Sequence, residues 1–409
     1  MPQLQGEKGN VLLTDDIIVK EALRLLKNSL VTAPLVHRDL ERRFAKVGDV
    51  ISLQKPFRTK TASGRVLVKQ PMVDQVVPFA IDRQEHFGLE VTMRDRTMSI
   101  ENFSNRYLKS GMSQIANVID RSILLKLKEA HFSSGTPGTA ITLKNFHLAK
   151  AYMGNVAVPD DGMRRCILNM LDAAEISDLI SNKFNEGMVK GALQKGYMGP
   201  LAGFDLFESA NMPVHTVGAY AGTPLVDGAQ TGGTILTKGW SNSITGLLKA
   251  GDVITFAGVF EINPQSYEST GRLKHFVVQA DVDSTGAGAA SISISPAIND
   301  GTLTTVNKAG ETISLAAYQN VTAAPANNAP ITVLGTANTT YLQNFLFHRD
   351  AVALAMIDLE LPQSAVVKSR VRDPDSGLAL CMTGAYDINQ QSEITRIDAV
   401  WGTDLIYSD

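Results

Sequence analysis

Residues 99–130 form the longest stretch of the chain with a clean helical period. Apolar side chains recur there at steps of three or four residues, which places them on one helix face: Leu108, Met112, Ile115, Ile119 and Ile123. Ser99 is the expected N-cap, and the glycine and proline of residues 133–137 end the helix. Gly111 is its internal weak point, at about 1 kcal/mol relative to alanine. About 30 residues at ~1.5 Å each give a rod of roughly 45 Å, long enough to span a subunit; an ordinary core helix with frayed ends has the same periodicity.

The composition of the whole chain excludes several classes of protein. A chain of 409 residues is long enough for two or three domains, and its net charge of -3 gives no general attraction for nucleic acid or acidic membranes. Cys166 and Cys381 form no disulfide framework or metal motif and are compatible with a reducing compartment. The sequence contains neither a secretory signal pattern nor an apolar run of about 18 residues. We therefore expect a soluble protein made in a cytoplasm.

Residues 14–30 predict a first amphipathic helix. Thr14 is the expected cap, and the first turn carries Asp15 and Asp16. The apolar stripe consists of Ile18, Ala22, Leu25 and Leu26. The short segment before the helix cannot bury this stripe, so the helix must dock on its own domain or on a neighbour.

Residues 50–69 predict two strands around a turn at residues 61–64. No acidic residue occurs from Lys55 to Val73, whereas basic residues cluster there: Lys55, Arg58, Lys60, Arg65 and Lys69. A solvated hairpin kept soluble by its cations and an arm that reaches an acidic neighbouring surface explain this pattern equally well. Nucleic-acid binding ranks third, because Phe57 is the only aromatic residue there that can stack on a base.

The next segments predict a strand and then a mixed region. Residues 86–93 alternate apolar and polar side chains, which indicates a half-buried strand leading into the long helix. Residues 141–220 predict an α/β region. Its elements are helices at 143–152 and 172–182, a buried strand at 165–170, and short strands at 201–205 and 213–216.

The composition changes near residue 220. Residues 221–345 contain 5 Lys or Arg, 8 Asp or Glu and 14 of the 33 glycines, so their charge density is about half that of the rest of the chain. Short β-rich runs alternate with turn residues, as in small all-β barrels or sandwiches. From about residue 346 we expect α/β character to resume. The simplest topology is a β domain inserted into a loop of the second domain.

The usual signatures of catalysis and cofactor binding are missing. The sequence contains no Walker loop, no Gly-x-Ser-x-Gly elbow and no His-Glu-x-x-His, and its seven histidines are scattered. Gly286-Ala-Gly288 precedes a strand pattern, which argues against a dinucleotide loop. Residues 281–286 imitate the front of a calcium loop, but Ile292 occupies the position of the bidentate acid, which favours a hairpin tip. We expect no enzyme activity, no cofactor and no metal site.

The order of these elements resembles that of tailed-bacteriophage major capsid proteins, of the short-tailed-phage branch with an inserted β domain. Leu201-Ala-Gly-Phe-Asp, followed by Met212-Pro-Val-His-Thr, resembles the family's Gly-Phe-Asp and Leu-Pro-Val segment. Gly251-Asp-Val-Ile-Thr-Phe-Ala-Gly-Val resembles the start of the inserted domain's barrel. Residues 347–355 and 396–402 resemble paired segments near capsid-protein C-termini. The match is weakest at residues 31–85.

This resemblance implies an α+β fold of the Hong Kong 97-like capsid type and a shell-forming role. The implied domains are an N-terminal arm with a helix (1–47), an extended β loop with the following strand (48–93), a spine helix with a peripheral domain (94–140), a central α/β axial domain (141–220 and 346–409) and an inserted β barrel (221–345). Many copies would form pentamers and hexamers of an icosahedral virion shell, assembled in the host cytoplasm. The implied partners are a scaffolding protein, a portal and double-stranded DNA held without specific binding. The expected inter-subunit residues are Arg58, Lys60, Arg65 and Lys69.

Two other classes of protein stay open at this stage. One is a non-viral shell of the same fold, such as an encapsulin-like compartment, which usually lacks a large inserted β domain. The other is a multidomain enzyme or carbohydrate-binding protein that uses residues 221–345 as a module. Sugar binding needs tryptophan or tyrosine rings, and these are sparse in that module. They are Trp240, Tyr267, Tyr318 and Tyr341.

Overall fold

A computed structural model of the chain describes residues 15–38, 50–61, 63–65, 73, 75–92, 104–181, 200–306, 312–363, 367–374, 376–388 and 392–407. Contacts between Cα atoms divide the chain into two compact units. The first comprises Met1–Ile51, Pro78–Ile123 and Ala353–Asp404, and the second comprises Ser52–Val77, Leu124–Val352 and Leu405–Asp409. These units do not follow the expected domain bounds one for one, so those bounds stay a prediction.

The described residues form helices and strands in a mixed α+β arrangement. The helices are α1 (Asp15–Ser29), α2 (Lys109–Leu127), α3 (Leu143–Asn155) and α4 (Met170–Ser181). The strands are β1 (Val50–Gln54), β2 (Val76–Ala80), β3 (Arg83–Thr92), β4 (Arg164–Leu168), β5 (Pro200–Leu201), β6 (Phe204–Glu208), β7 (Val214–Thr216), β8 (Gly222–Val226), β9 (Gly232–Trp240), β10 (Val253–Phe256), β11 (Phe260–Ile262), β12 (Ser269–Leu273), β13 (Phe276–Val278), β14 (Ala290–Ile298), β15 (Thr304–Val306), β16 (Thr312–Ser314), β17 (Ile331–Val333), β18 (Thr340–Leu342), β19 (Phe345–His348), β20 (Val352–Met356), β21 (Val367–Arg372), β22 (Ala379–Asp387) and β23 (Ser392–Leu405).

The helices predicted at residues 14–30 and 99–130 are both present. The first buries Ile18, Ala22 and Leu26 of its predicted stripe, whereas Leu25 is half-buried. Helix α1 also buries Val19 and Leu23. A π-helical turn at Ser104–Leu108 leads into α2, which ends at Leu127, three residues before the predicted end. The five stripe residues of the long helix are all buried, as their spacing predicts. The expected caps Thr14 and Ser99 lie outside the described residues.

Gly111 of α2 provides space for an aromatic ring. A Cβ atom at this position would lie 2.3 Å from the ring of Phe87, a β3 residue of the same unit. The low helix propensity of glycine is therefore offset by packing that no larger residue allows.

A five-stranded sheet lies beside these helices in the first unit. Strand β23 is central and pairs with β20, β22 and β3, and β22 pairs in turn with β21. Its antiparallel register with β3 runs from Ser392 opposite Thr92 to Trp401 opposite Arg83. The strand predicted at residues 86–93 is thus confirmed as part of β3, although residue 93 lies outside the described residues.

The expected return of α/β character after residue 346 is wrong in its helical part. The described residues from 346 to 407 form strands β19–β23 and a single 3-10 turn, Arg349–Ala351. Buried runs such as Val352–Met356 are consistent with either a buried helix segment or a buried strand, and pairing with β23 decides for the strand.

Asp120 connects the end of the N-terminal helical segment to α2. Its buried carboxylate accepts hydrogen bonds from the backbone amides of Val31, Thr32 and Ala33, and from the Thr32 hydroxyl. Burial raises the pKa of the Asp120 carboxyl, and these hydrogen bonds oppose that shift. Helix α1 therefore docks within its own compact unit.

The predicted hairpin at residues 50–69 is only partly right. The first strand exists as β1, but its partner is β2, Val76–Ala80. The predicted return strand falls mostly on residues 66–70, which lie outside the described residues. The pairing joins residues that are more than twenty positions apart, beyond the range that a local turn signal reports.

The second unit contains a small α/β layer that matches the prediction closely. Helices α3 and α4 and strands β4, β6 and β7 lie within a few residues of their predicted positions. The sheet order is β19-β4-β6-β5, with β4 and β6 parallel. Its core is formed by Phe146, Cys166, Leu168, Ala173, Ile176 and Phe204.

Residues 222–333 contain a six-stranded sheet whose two edges meet. The order is β17-β10-β13-β14-β9-β8. The Val226 amide donates to the Ala329 carbonyl at 3.0 Å, and the Asn328 amide donates to the Val226 carbonyl at 2.9 Å, which joins β8 to the segment before β17. The enclosed core includes Ile235, Trp240, Phe256, Phe276, Ile292 and Ile331. Two ribbons, β11–β12 and β15–β16, extend from this sheet.

Asp252 is a buried carboxylate at the point where the chain enters this sheet. Its Oδ1 lies 2.8 Å from Nε2 of buried His215, and its Oδ2 accepts from the amides of Gly218 and Lys249. Burial, together with the Asp252 charge, raises the pKa of Tyr341 to about 12. The entering and leaving strands, β7 and β18, pair directly with His215 opposite Tyr341.

Two charged residues of the β region, Glu261 and Lys274, are buried together, and the partly buried Arg272 lies beside them. Glu261 is 1% exposed, and its carboxylate oxygens lie 3.2 Å from Lys274 Nζ and 3.3 Å from Arg272 Nη2. The Arg272 guanidinium lies 3.4 Å from the centre of the Tyr152 ring, and Lys274 Nζ lies 4.8 Å from the centre of the Phe132 ring. The low charge density of this region thus includes charges that are paired and covered by aromatic rings.

Two further properties of the described residues bear on function. Cys166 and Cys381 are free and buried, and burial raises the pKa of both thiols. Among the helices of the described ranges, none has the length and apolar composition that a membrane crossing requires.

We expect Gly111→Ala to destabilise the protein by about 1–3 kcal/mol, because the new methyl group collides with Phe87. The helix propensity of alanine offsets only about 1 kcal/mol of this cost. Gly154→Ala in α3 is the matched control, since a Cβ atom there meets nothing within 4 Å. Urea denaturation checks both variants, and a Gly111→Ala protein as stable as the parent would contradict the packing argument.

We expect the stability of the protein to fall as the pH decreases from about 6.5 to about 4. Burial, then the charges of Arg272, Lys274 and His131, lower the pKa of His275 to about 4. Its Nδ1 accepts a hydrogen bond from the Ser133 amide at 3.2 Å. In this pH window the unfolded chain protonates His275 and the folded chain does not, so up to about 3 kcal/mol is lost.

The measurement is the free energy of unfolding against pH for His275→Gln, which should lose this pH-dependent component. Exposed His147, changed to glutamine, is the control. An identical pH profile for the parent and His275→Gln would contradict the assignment.

Candidate assembly surface

The candidate surface is the basic segment between β1 and β2, residues 55–75, which we call the arm. The structure describes its residues 55–61, 63–65, 73 and 75. The Lys55 amide donates to the Gln75 carbonyl at 2.8 Å, so the two limbs of the arm remain side by side where they leave the β1–β2 ribbon. Residues 55–61 form no regular secondary structure.

The basic side chains near the base of the arm face tyrosines of the same chain. Lys55 Nζ lies 5.5 Å from the centre of the Tyr407 ring, and Lys60 Nζ lies 4.5 Å from the centre of the Tyr267 ring. Both separations are within the roughly 6 Å at which a cation is attracted to the ring face.

Tyr318 contacts both limbs of the arm through its hydroxyl group. The Arg58 amide donates to Tyr318 Oη at 3.5 Å, and Tyr318 Oη donates to the Val73 carbonyl at 2.9 Å. Burial raises the pKa of Tyr267, and the positive charge of Arg58 lowers it. Arg58 acts in the same direction on the pKa of Tyr407, against burial and the charge of Asp350.

The four predicted inter-subunit residues therefore fall into different environments. Arg58 is half-buried and Lys60 lies over Tyr267, so both contact their own chain. Arg65 is exposed near the tip, and Lys69 lies outside the described residues. Neither the solvated hairpin nor the arm on an acidic neighbour, the two alternatives drawn from the sequence, includes these contacts of the base, because the tyrosines are distant in sequence. Contact of the four residues with a neighbouring subunit stays a prediction.

Little in the amino-acid sequence indicates a role for these tyrosines. Tyr267 and Tyr318 are two of the few tyrosine or tryptophan residues in residues 221–345, and in the sequence their small number serves only as an argument against sugar binding. No pattern in the sequence singles out Tyr407. Their common role appears only once the fold brings them to the arm.

The rejected calcium and dinucleotide patterns have structural explanations. Asp281 accepts a hydrogen bond from the Ala250 amide and Asp283 accepts one from the Gly246 amide, so both acids fasten a turn. The connection between β13 and β14 contains them, which confirms the predicted hairpin, and Gly288 leads into a strand. The described residues contain no group of three or more His, Cys, Asp or Glu side chains placed to hold a metal ion.

A second exposed surface lies at the end of the β22–β23 hairpin in the first unit. Its apolar side chains are Tyr386, Ile388 and Ile394, which are 44%, 76% and 53% exposed. Exposed apolar groups clustered at a hairpin end are typical of surfaces that another protein covers.

Comparison with known families gives a match across about two fifths of the chain. Residues 235–407 match the family described as "P22 coat protein - gene protein 5". This span begins in β9 and ends at Tyr407, so it includes most of the closed sheet and all of β19–β23. No curated protein matches the chain significantly.

Several solved structures similar to the chain come from phages. A structure from Mycobacterium phage Che8 is 13% identical, covers 93% of this chain and 88% of its own, and has a TM-score of 0.43. The capsid structure of Cyanophage P-SCSP1u is 11% identical, with 91% and 84% coverage and a TM-score of 0.42. The CUS-3 coat protein I-domain is 24% identical over 28% of this chain and 98% of its own, with a TM-score of 0.19.

The matched region and the predicted order of elements agree on one kind of protein. Residues 235–407 contain the β-rich run that resembles the barrel of the inserted domain and both C-terminal segments that resemble those of coat proteins. Over residues 235–407, about two fifths of its length, the chain is similar to the family of phage coat proteins.

Proposed function

We propose that the chain forms an icosahedral shell of pentamers and hexamers that encloses the double-stranded DNA genome of a phage. The single observation that carries this proposal is the coat-protein match at residues 235–407. The near-neutral charge of the chain fits a shell that holds DNA without binding it specifically. A scaffolding protein and a portal take part in assembly, which occurs in the host cytoplasm, and the chain itself has no enzymatic activity.

In this proposal the long helix is the spine of the subunit, and residues 221–345 are an inserted barrel domain. Support for the spine comes from the five buried stripe residues of the helical segment at residues 104–127. Support for the barrel comes from the hydrogen bonds of Val226 with residues 328 and 329, which join the two edges of the sheet. A closed sheet has no open edge to recruit other chains, as a domain exposed on a shell requires.

The arm makes the inter-subunit contact through its distal part. Arg65 is exposed there, whereas the base of the arm contacts tyrosines of its own chain. An arm that lies on the next subunit is a head-to-tail contact, which closes into rings and so suits pentamers and hexamers. A self-complementary patch would stop at a dimer.

We expect the full-length protein, expressed alone or together with its scaffolding protein, to sediment as closed shells or aberrant polymers. Negative-stain electron microscopy of the sedimented fraction distinguishes these products. A protein that remains a stable monomer under both conditions argues against the shell-forming proposal.

We expect Arg65→Glu to slow assembly by roughly fivefold or less at low salt, because one exposed ion pair contributes about 0–1 kcal/mol. Added salt should restore part of the rate by screening the new repulsion, and the melting temperature of the unassembled subunit should not change. Light scattering follows assembly.

The matched control is Lys144→Glu, which makes the same charge change at an exposed position of α3. Equal assembly rates for the parent and both variants would make the arm a solvated hairpin and nothing more.

A further inference from the structure

We infer that Tyr267, Tyr318 and Tyr407 hold the base of the arm in one fixed direction on its own subunit before any neighbour is met. We call these residues the tyrosine cradle. The inference rests on the proposed function, in which the distal arm reaches another subunit. It assigns the basal cations Lys55 and Lys60 to an intramolecular role.

The central contact of the tyrosine cradle is the Tyr318 hydroxyl group. One oxygen accepts from the Arg58 amide on the outgoing limb and donates to the Val73 carbonyl on the returning limb. A hydroxyl group offers one donor and two acceptor positions, so a single side chain can join both limbs. Movement of either limb away from Tyr318 breaks one of these bonds.

The two flanking tyrosines fix the outgoing limb on either side of Arg58. Lys55 lies over Tyr407 and Lys60 lies over Tyr267. Cation–ring contacts leave the ammonium head hydrated while its stem packs on the ring, so they suit a surface segment. A two-stranded ribbon is marginal alone in water, and these contacts supply the order that it lacks.

The backbone conformation of Tyr267 indicates that the surrounding structure holds this residue in place. Its φ of 59° lies in the left-handed region, which is unfavourable for a bulky side chain. The Tyr267 amide donates to the Asn263 carbonyl at 2.8 Å, and its hydroxyl donates to the Ala317 carbonyl at 2.9 Å. Such an outlier persists where the surrounding structure over-determines it, and at Tyr267 it places a ring under Lys60.

Residues of the β region determine the direction of the arm, since Tyr267 and Tyr318 of the tyrosine cradle both belong to residues 221–345. A change in that region would alter how subunits join without touching the inter-subunit contact itself. The effect on assembly would come from a less ordered arm, because such an arm loses more conformational entropy when it docks on a neighbouring subunit.

The test compares Tyr318→Phe with Tyr220→Phe by hydrogen exchange and mass spectrometry on the unassembled full-length subunit. Tyr220 is the matched control, because its hydroxyl also donates to a backbone carbonyl, that of Gly335, at 2.6 Å. Tyr318→Phe removes both hydrogen bonds of the hydroxyl group, and this loss should raise amide exchange in residues 55–61 at least about fivefold. Tyr220→Phe should leave exchange in that peptide unchanged.

A second pair of variants tests the ring contact. Tyr267→Phe keeps a ring beneath Lys60, whereas Tyr267→Leu removes it, so only the leucine variant should add to exchange beyond the loss of the hydroxyl. The cradle variants should also assemble more slowly than Tyr220→Phe.

The outcomes separate the cradle from the shell-forming role. Exchange in residues 55–61 that is the same in Tyr318→Phe, Tyr220→Phe and the parent overturns the tyrosine cradle. Slower assembly of Tyr318→Phe with unchanged exchange also overturns it, because the tyrosine would then act between subunits. A parent protein that never assembles refutes the proposed function, and the exchange data still decide the tyrosine cradle.

Discussion

The β region depends on the hydrogen bonds that one buried carboxylate, that of Asp252, accepts. It is 1% exposed, and an unsatisfied charge at that depth would cost several kcal/mol. His215 and the amides of Gly218 and Lys249 satisfy it. These partners come from the strand that leads into the region and from the turn before β10. One side chain therefore fixes where the closed sheet begins.

Single helices and strands of this fold could be predicted because the residue pattern that specifies each of them lies within a short stretch of sequence. The stripe of α2 repeats every three or four residues, and the alternation of β3 repeats every two, so each is visible in a short window. The pairing of β1 with β2 depends on residues more than twenty positions away, and that of β3 with β23 on residues some three hundred positions away. The run Val352–Met356 has no period of its own, and its partner strand alone decides its conformation.

The basic half of the candidate site was predictable, and its aromatic half was not. A run of cations without acids stands out in the sequence between Lys55 and Val73. The tyrosines that contact this segment lie some 200 to 350 positions away: the rings of Tyr267 and Tyr407 face its lysines, and the hydroxyl group of Tyr318 bonds to its backbone. A run of cations indicates a partner with a negative charge or potential. It does not indicate which functional group the partner has, because carboxylates and aromatic faces both attract cations.

The burial of Cys166 and Cys381 has a practical consequence for labelling. Reactivity toward maleimides and similar reagents requires an accessible thiolate, and burial both covers these sulfur atoms and raises their pKa. A cysteine introduced at the exposed position of Arg65 would then be the reactive thiol of the folded subunit. A fluorophore attached there could report, in real time and from a single site, when the tip of the arm leaves water for protein.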